Sequence, residues 1–287
     1  GLSENIQVLA AIIFASQRML PSIQSIYVSL VSLKTAEYPL NDITKILNSN
    51  NYEKNTHNLK NPNINNFIEI KNLNFRHNKN LEYIFENLNT KFEENKIYSL
   101  TGTSGIGKTT FFDLLMGLLC PNEGEFYSDN NRFDVYKNSY WQNKICHIPQ
   151  NSLLTDASIL ENVTYGIDLK NIEMESVKKA CNVAKIENLI KNSENGLNTI
   201  IGERGLKISG GERQRITIAK AIYANKEIYL FDEATNAIDE ETEMKIYENL
   251  RNILKNKIII IISHNDNVHK FCDHIYEIKN KKIKILK

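Results

Sequence analysis

Ile6 to Leu33 is mostly apolar and carries one charge, Arg18. As a helix rising about 1.5 Å per residue it reaches about 42 Å, enough to cross a bilayer core. Its polar residues Arg18, Ser22, Ser25, Ser29 and Ser32 recur at steps of four and three and line one stripe. Such a stripe suits a wall facing a water-filled path or close packing against a neighbouring helix. An amphipathic soluble helix or a coiled-coil arm fits the same periodicity. In lipid, Pro21 is expected to kink the helix without breaking it. Lys34 to Leu47 continues as a more polar helix, so residues 1–47 form one membrane-type helix with an extension. Residues 48–66 are a polar linker with Asn runs, a solvated His57 and Pro62. The soluble domain is placed at 67–287.

Within that domain the period changes. Phe67 to Ile70 and Leu73 to Phe75 alternate and predict antiparallel strands, with further strands over Leu81 to Phe92. Ile97 to Leu100, Ile228 to Phe231 and Ile258 to Ile262 are short, wholly apolar runs, the pattern of strands buried on both faces. Ile145 to Gln150 is a strand ending on a polar side chain. Helices are expected over Thr109 to Leu119, Ile172 to Leu189 and Ser209 to Tyr223, with a turn at Pro121-Asn122-Glu123-Gly124.

Chemistry enters between the first buried strand and the helix after it. Gly102-Thr103-Ser104-Gly105-Ile106-Gly107-Lys108-Thr109 fits G-x-x-x-x-G-K-[ST]. The glycines let backbone N–H groups approach phosphate oxygens, Lys108 offers a point charge, and the Thr109 hydroxyl suits Mg²⁺. Thr110 follows at the helix start, whose dipole favours an anion. Asp232 and Glu233 end the second buried strand. The first suits a Mg²⁺ ion and the second a water to be deprotonated, although the pair could also cap the next helix. His264 ends the third, placed to reach a γ-phosphate.

With 35 basic and 34 acidic residues the net charge is +1, which gives no bulk attraction for nucleic acid or anionic lipid. The four cysteines, Cys120, Cys146, Cys181 and Cys272, lack metal or redox spacing and are expected as reduced, buried thiols. The chain starts on Gly1 inside a helical pattern, so a preceding segment is expected; no signal peptide is visible.

Ile208-Ser209-Gly210-Gly211-Glu212-Arg213-Gln214-Arg215 closely resembles the signature motif of ABC transporter ATPases, usually L-S-G-G-Q-R-Q-R. The resemblance runs from about Phe67 to Lys287. It implies an α/β fold: a P-loop NTPase nucleotide-binding domain with an antiparallel β subdomain and a helical subdomain, preceded by one long transmembrane-type helix. It also implies a head-to-tail pair in which Ser209, Gly210, Gly211 and Glu212 close over the ATP held by the partner's phosphate loop. Lys108 and residues Gly102 to Thr110 resemble the Walker A set. Gln150 resembles the Q-loop glutamine that touches Mg²⁺, Asp232 the Walker B aspartate, Glu233 the catalytic glutamate and His264 the switch histidine. Asn236-Ala237-Ile238-Asp239 resembles the D-loop, more often S-A-L-D. His77 stands where the family has an adenine-stacking Tyr. Glu212 in place of Gln adds a negative charge near the partner's nucleotide or points to solvent.

Gly202-Glu203-Arg204-Gly205 resembles part of the exporter cross-talk loop, and Arg18-Met19-Leu20-Pro21-Ser22 a pattern in exporters that flip lipid-linked oligosaccharides or polysaccharide precursors. The expectation is the C-terminal part of a half-size exporter using ATP and Mg²⁺. Its last membrane helix lies in lipid at the inner (cytoplasmic) membrane, and its nucleotide-binding domain is cytoplasmic. A second nucleotide-binding domain, as a homodimer, and its own membrane domain are the expected partners, with no nucleic acid. Residues Asn151 to Ile159 would receive the coupling helix. Drug, peptide or lipid A export, a soluble ATPase of nucleic-acid metabolism and a non-hydrolysing regulator are the rival readings.

Overall fold

The computed structural model describes residues 2–49, 62–64, 66–136, 138–202, 205–253, 255–263 and 265–287. The expectations for His57, Glu203, Arg204 and His264 fall outside these residues. The chain divides into two units between residues 58 and 59.

The first unit is a single helix, α1 (Leu2–Ser49), with Pro21 and Pro39 inside it. Pro21 does not end it. By length and composition, Asn5–Leu47 is long and apolar enough to cross a membrane. Its large apolar side chains, among them Ile6, Phe14, Ile26 and Leu33, are exposed. The serine stripe bonds inward: the Ser29 hydroxyl donates to the Ser25 carbonyl (2.8 Å) and that of Ser32 to the Val28 carbonyl (2.9 Å). This back-bonding lets hydroxyls sit on a helix without water.

The second unit runs β1 (Phe67–Phe75), β2 (Phe85–Glu93), β3 (Lys96–Thr101), α2 (Lys108–Leu115), β4 (Glu123–Ser128), β5 (Asn131–Phe133), α3 (Ser139–Gln142) and β6 (Ile145–Ile148). It continues α4 (Ile159–Val163), α5 (Met174–Val183), α6 (Glu187–Asn192), α7 (Gly210–Ala224), β7 (Ile228–Asp232), α8 (Glu240–Ile253), β8 (Ile258–Ile262), α9 (Asp266–Phe271), β9 (His274–Lys279) and β10 (Lys282–Ile285). Strands β2-β1-β4-β5 form an antiparallel sheet, and β10-β9-β3-β8-β7-β6 a six-stranded one. From β9 to β6 that larger sheet is parallel.

The apolar runs of β7 and β8 have a simple cause. Tyr229, Phe231, Ile259 and Ile261 enter a core shared with α4, α5, α7 and α8. Their neighbours Ile228, Leu230, Ile258, Ile260 and Ile262 enter a second core with the antiparallel sheet and α2. Alternate residues therefore serve opposite faces, and no position is left for a polar side chain.

Several boundaries differ from the sequence expectations. β1 is one strand with a register shift between Ile70 and Leu73 rather than two. α2 stops at Leu115, where the Met116 and Gly117 amides turn back onto Phe112 and Leu114. The expected helix over Ile172 to Leu189 is broken, because Lys185 adopts φ +57°, turning the chain so that Ala184 and Ile186 both reach the core. Glu123 and Gly124, expected in a turn, open β4. Cys120 is exposed, not buried; Cys181 and Cys272 are buried and Cys146 half-buried. Pro62 and Ile64, placed in the linker, are buried, and the Asn63 carbonyl accepts from the Ser128 hydroxyl (2.7 Å).

Candidate functional site

Neighbouring strands β3, β8, β7 and β6 run parallel, so their carboxyl ends lie along one edge. Each is followed there by one of the marked segments: Gly102 to Thr109 after β3, Ser263 after β8, Asp232 and Glu233 at the end of β7, and Gln150 after β6. The edge of an open parallel sheet is where such folds bind ligands.

The phosphate-type loop is built tightly. Gly107 caps α2 at φ +108°, and a methyl there would fall 2.6 Å from Ile84 Cγ2. Only glycine satisfies both conditions. Thr103, Ser104 and Gly105 are exposed, and Gly102, Ile106 and Thr110 are half-buried. Lys108 is 8% exposed. Its ammonium donates to the Gly102 and Thr103 carbonyls of the same loop at 2.8 and 3.3 Å. Burial pulls its pKa below the ordinary lysine value, against the upward pull of Glu233 and Asp232. A desolvated cation whose hydrogen bonds, among the described residues, go to two loop carbonyls is matched to an anionic ligand.

The Thr109 hydroxyl donates to Asp232 Oδ2 (3.2 Å). Burial raises the Asp232 carboxyl, opposed first by that hydroxyl and then by His147. Two hard oxygen donors so placed fit a small divalent cation, held with water and phosphate oxygens. Glu233 adopts φ +50°, a strained conformation of the kind that clusters at functional sites. Its amide donates to the Ile262 carbonyl (3.0 Å). Its Oε2 accepts from the Gln150 and Asn236 side-chain amides, both at 2.9 Å. It does not cap a helix. That task falls to Asp239, whose Oδ1 accepts from the Thr242 amide (2.9 Å), which lowers the Asp239 pKa.

The signature-like segment forms the N-terminus of α7. Ser209 and Glu212 make a reciprocal capping box: the Ser209 amide and hydroxyl both donate to Glu212 Oε2 at 2.8 Å, and the Glu212 amide donates back to Ser209 Oγ at 3.3 Å. Glu212 thus folds onto its own helix end instead of pointing to solvent. Arg213 pins the preceding turn, donating to the Ile208 and Gly205 carbonyls at 2.9 and 3.2 Å. Buried Gln214 accepts from the Ala237 amide (2.9 Å), so α7 and the segment before α8 are fastened together. Gly211 packs so close to Ala237 that a methyl would fall 2.7 Å from its carbonyl oxygen.

His77 is exposed, its ring edge-on to Phe75 at 5.1 Å. Two groups nearby were missed in the sequence. Arg76 lies over the Tyr83 ring at 4.5 Å, and Tyr83 precedes Ile84, which borders Gly107. His147 on β6 was missed too; burial lowers its pKa, while Asp232 and Asp113 raise it. No motif marked it, because a histidine inside a strand reads as packing.

The family model of the ABC transporter matches residues 85–236. The alpha-hemolysin translocation ATP-binding protein HlyB of Escherichia coli O157:H7 is 34% identical over 219 residues, 76% of this chain and 31% of that protein. The leukotoxin translocation ATP-binding protein LktB of Mannheimia haemolytica is 33% identical over 214 residues, 75% of this chain and 30% of its own length. The chain therefore spans under a third of these curated relatives. Among solved structures, a bacterial Atm1-family ABC exporter with ATP bound superposes with a TM-score of 0.79 at 26% identity, covering 88% of this chain and 44% of that one.

Proposed function

The chain belongs to the ABC transporter family, and from that premise we propose that it is the ATP-hydrolysing motor portion of an exporter. The observation that carries the proposal is the single sheet edge on which Lys108, Asp232, Glu233 and Gln150 converge. ATP is the substrate. Lys108 leaves the Gly102 and Thr103 carbonyls and takes the β- and γ-phosphates, joined by the amides of 102–110. Mg²⁺, when bound, neutralises phosphate charge, and Thr109, Asp232 and Gln150 are the residues that would hold it. Glu233, steadied by Gln150 and Asn236, orients the attacking water and accepts its proton. His264 is assigned to the γ-phosphate and His77 to the adenine.

In this reading Ser209, Gly210 and Gly211 close over the ATP of a second copy, with Asp239 at the same junction, and a closed, water-poor site strengthens every charge contact. Glu212 leaves Ser209 free for phosphate when its capping bonds open. Residues 1–47 are the last membrane helix in lipid and 67–287 the cytoplasmic nucleotide-binding domain, placing the protein at the inner membrane. For cargo, Arg18 to Ser22 supports a lipid-linked oligosaccharide or polysaccharide precursor. The toxin-translocation names of HlyB and LktB favour a polypeptide instead. Stimulation of ATPase activity in the membrane-reconstituted protein by one class and not the other separates the two.

The test of the motor reading is Glu233→Gln. It should keep ATP-dependent pairing, seen by sedimentation, and lose phosphate release. Wild-type turnover in that variant refutes the assignment.

A further inference from the structure

One buried carboxylate has no part in the chemistry above. Glu243 lies in the first turn of α8 and is 4% exposed. Its amide donates to the Asp239 carbonyl (2.9 Å). Its carboxylate accepts from Asn265 Nδ2 at 2.8 Å and from the Thr235 hydroxyl. Thr235 is buried and also shares a hydrogen bond with the buried Tyr247 hydroxyl (3.1 Å). Asn265 is held in turn, its amide donating to Ser263 Oγ (3.1 Å) and its Oδ1 accepting from the Asn267 amide (3.0 Å).

The placement of the two donors gives this network its meaning. Thr235 stands two residues after Glu233, on the segment leaving β7. Asn265 stands next to His264, on the segment leaving β8. These two strands are neighbours, so one carboxylate spans the gap between adjacent chain exits and fastens both to α8. That helix begins beside Asp239. Burial raises the Glu243 pKa against the hydrogen bonds that lower it, so an apolar residue would pack here at less cost.

We infer that Glu243 is a positioning residue, which sets the segment bearing Glu233 against the segment bearing His264 and ties both to the start of α8. The inference rests on the ATPase reading for its catalytic consequence only; the bridge itself is measurable without turnover. The Glu243 carboxylate bonds Asn265 and Thr235, neither of which is assigned to nucleotide. Its loss therefore misplaces the reacting groups and leaves ATP binding alone.

The experiment compares Glu243→Ala and Glu243→Gln in the full protein. Alanine is expected to lower kcat by about tenfold or more, as small misplacements do, with KM for ATP changed less than about twofold. Glutamine should recover most of kcat, since its carbonyl still accepts from Asn265 and its amide can donate to Thr235, whose proton then turns to Tyr247. Hydrogen exchange without nucleotide should show 233–237 and 263–268 losing protection together in the alanine variant and not in the glutamine variant. An unchanged kcat, exchange that rises in one segment only, or a folded glutamine variant as impaired as alanine each overturns the inference. If alanine does not fold, Asn265→Ala cuts one arm from outside the core, and unchanged exchange over 263–268 there overturns it equally. Absence of ATPase activity in the wild type would sink the motor reading, while the exchange experiment would still decide the bridge.

Discussion

Adjacent glycines at the start of α7 should respond to the same substitution in opposite directions. In Gly210→Ala the new methyl meets Ala237 Cβ at 3.5 Å, an ordinary contact. Removing a glycine from a helix then stabilises by about 0.4–1 kcal/mol. In Gly211→Ala the methyl falls 2.7 Å from the Ala237 carbonyl oxygen, about 0.7 Å inside ordinary contact. The oxygen cannot retreat freely, because the Ala237 amide is bound to buried Gln214 and the Ile238 amide to the Thr235 carbonyl. Overpacking of this kind costs about 1–3 kcal/mol, which outweighs the propensity gain of up to about 1 kcal/mol. The net loss is about 0.5–2 kcal/mol. At about 2–4 °C per kcal/mol for a domain of this size, Gly211→Ala should melt a few degrees below wild type and Gly210→Ala slightly above it. Differential scanning fluorimetry of the purified variants reads this directly. A Gly211→Ala protein that melts at or above Gly210→Ala would show that the segment before α8 is not held as described.

The parts of this molecule legible in sequence are those in which short-range chemistry and burial agree. β7 and β8 were plain, because a strand covered on both faces admits no polar residue. The loop before α2 was plain because its glycines, Lys108 and Thr109 are contiguous. The break between α5 and α6 was hidden: Lys185 takes a left-handed conformation that nothing in its side chain announces, and the apolar residues on either side continue a helical period. Glu212 was ambiguous as an isolated departure from a motif. Its role as the third residue of a capping box is the one the S-x-x-E spacing carries. Glu243 was illegible for a different reason. Its partners lie 8 and 22 residues away, on separate loops, and only the adjacency of β7 and β8 brings them to one carboxylate.

Removing the Glu212 cap should cost about 0.5–2 kcal/mol in Glu212→Ala, a shift of a few degrees in melting temperature. Glu212→Gln, which keeps an acceptor for Ser209, should stay within about 1 kcal/mol of wild type on the same assay. Thr109→Ala should raise the Mg²⁺ concentration for half-maximal ATPase activity by at least about tenfold; an unaltered Mg²⁺ titration removes Thr109 from the cation site. His147 supplies a pH test whose sign follows from its surroundings. Burial holds its folded-state pKa below the ordinary 6.5, although Asp232 and Asp113 pull the other way, and its Nε2 has no hydrogen-bond partner among the described residues. Below pH 6.5 the unfolded chain takes up a proton that the folded chain refuses, so stability is lost as pH falls from 6.5 toward the lower folded value. His147→Leu removes that linkage and leaves every other titrating group in place. Its melting temperature should therefore drop less than that of wild type between pH 7.5 and pH 5.5. Parallel curves for the two proteins would mean that Asp113 and Asp232 offset the burial of His147 and leave its pKa the same in the folded and unfolded chain.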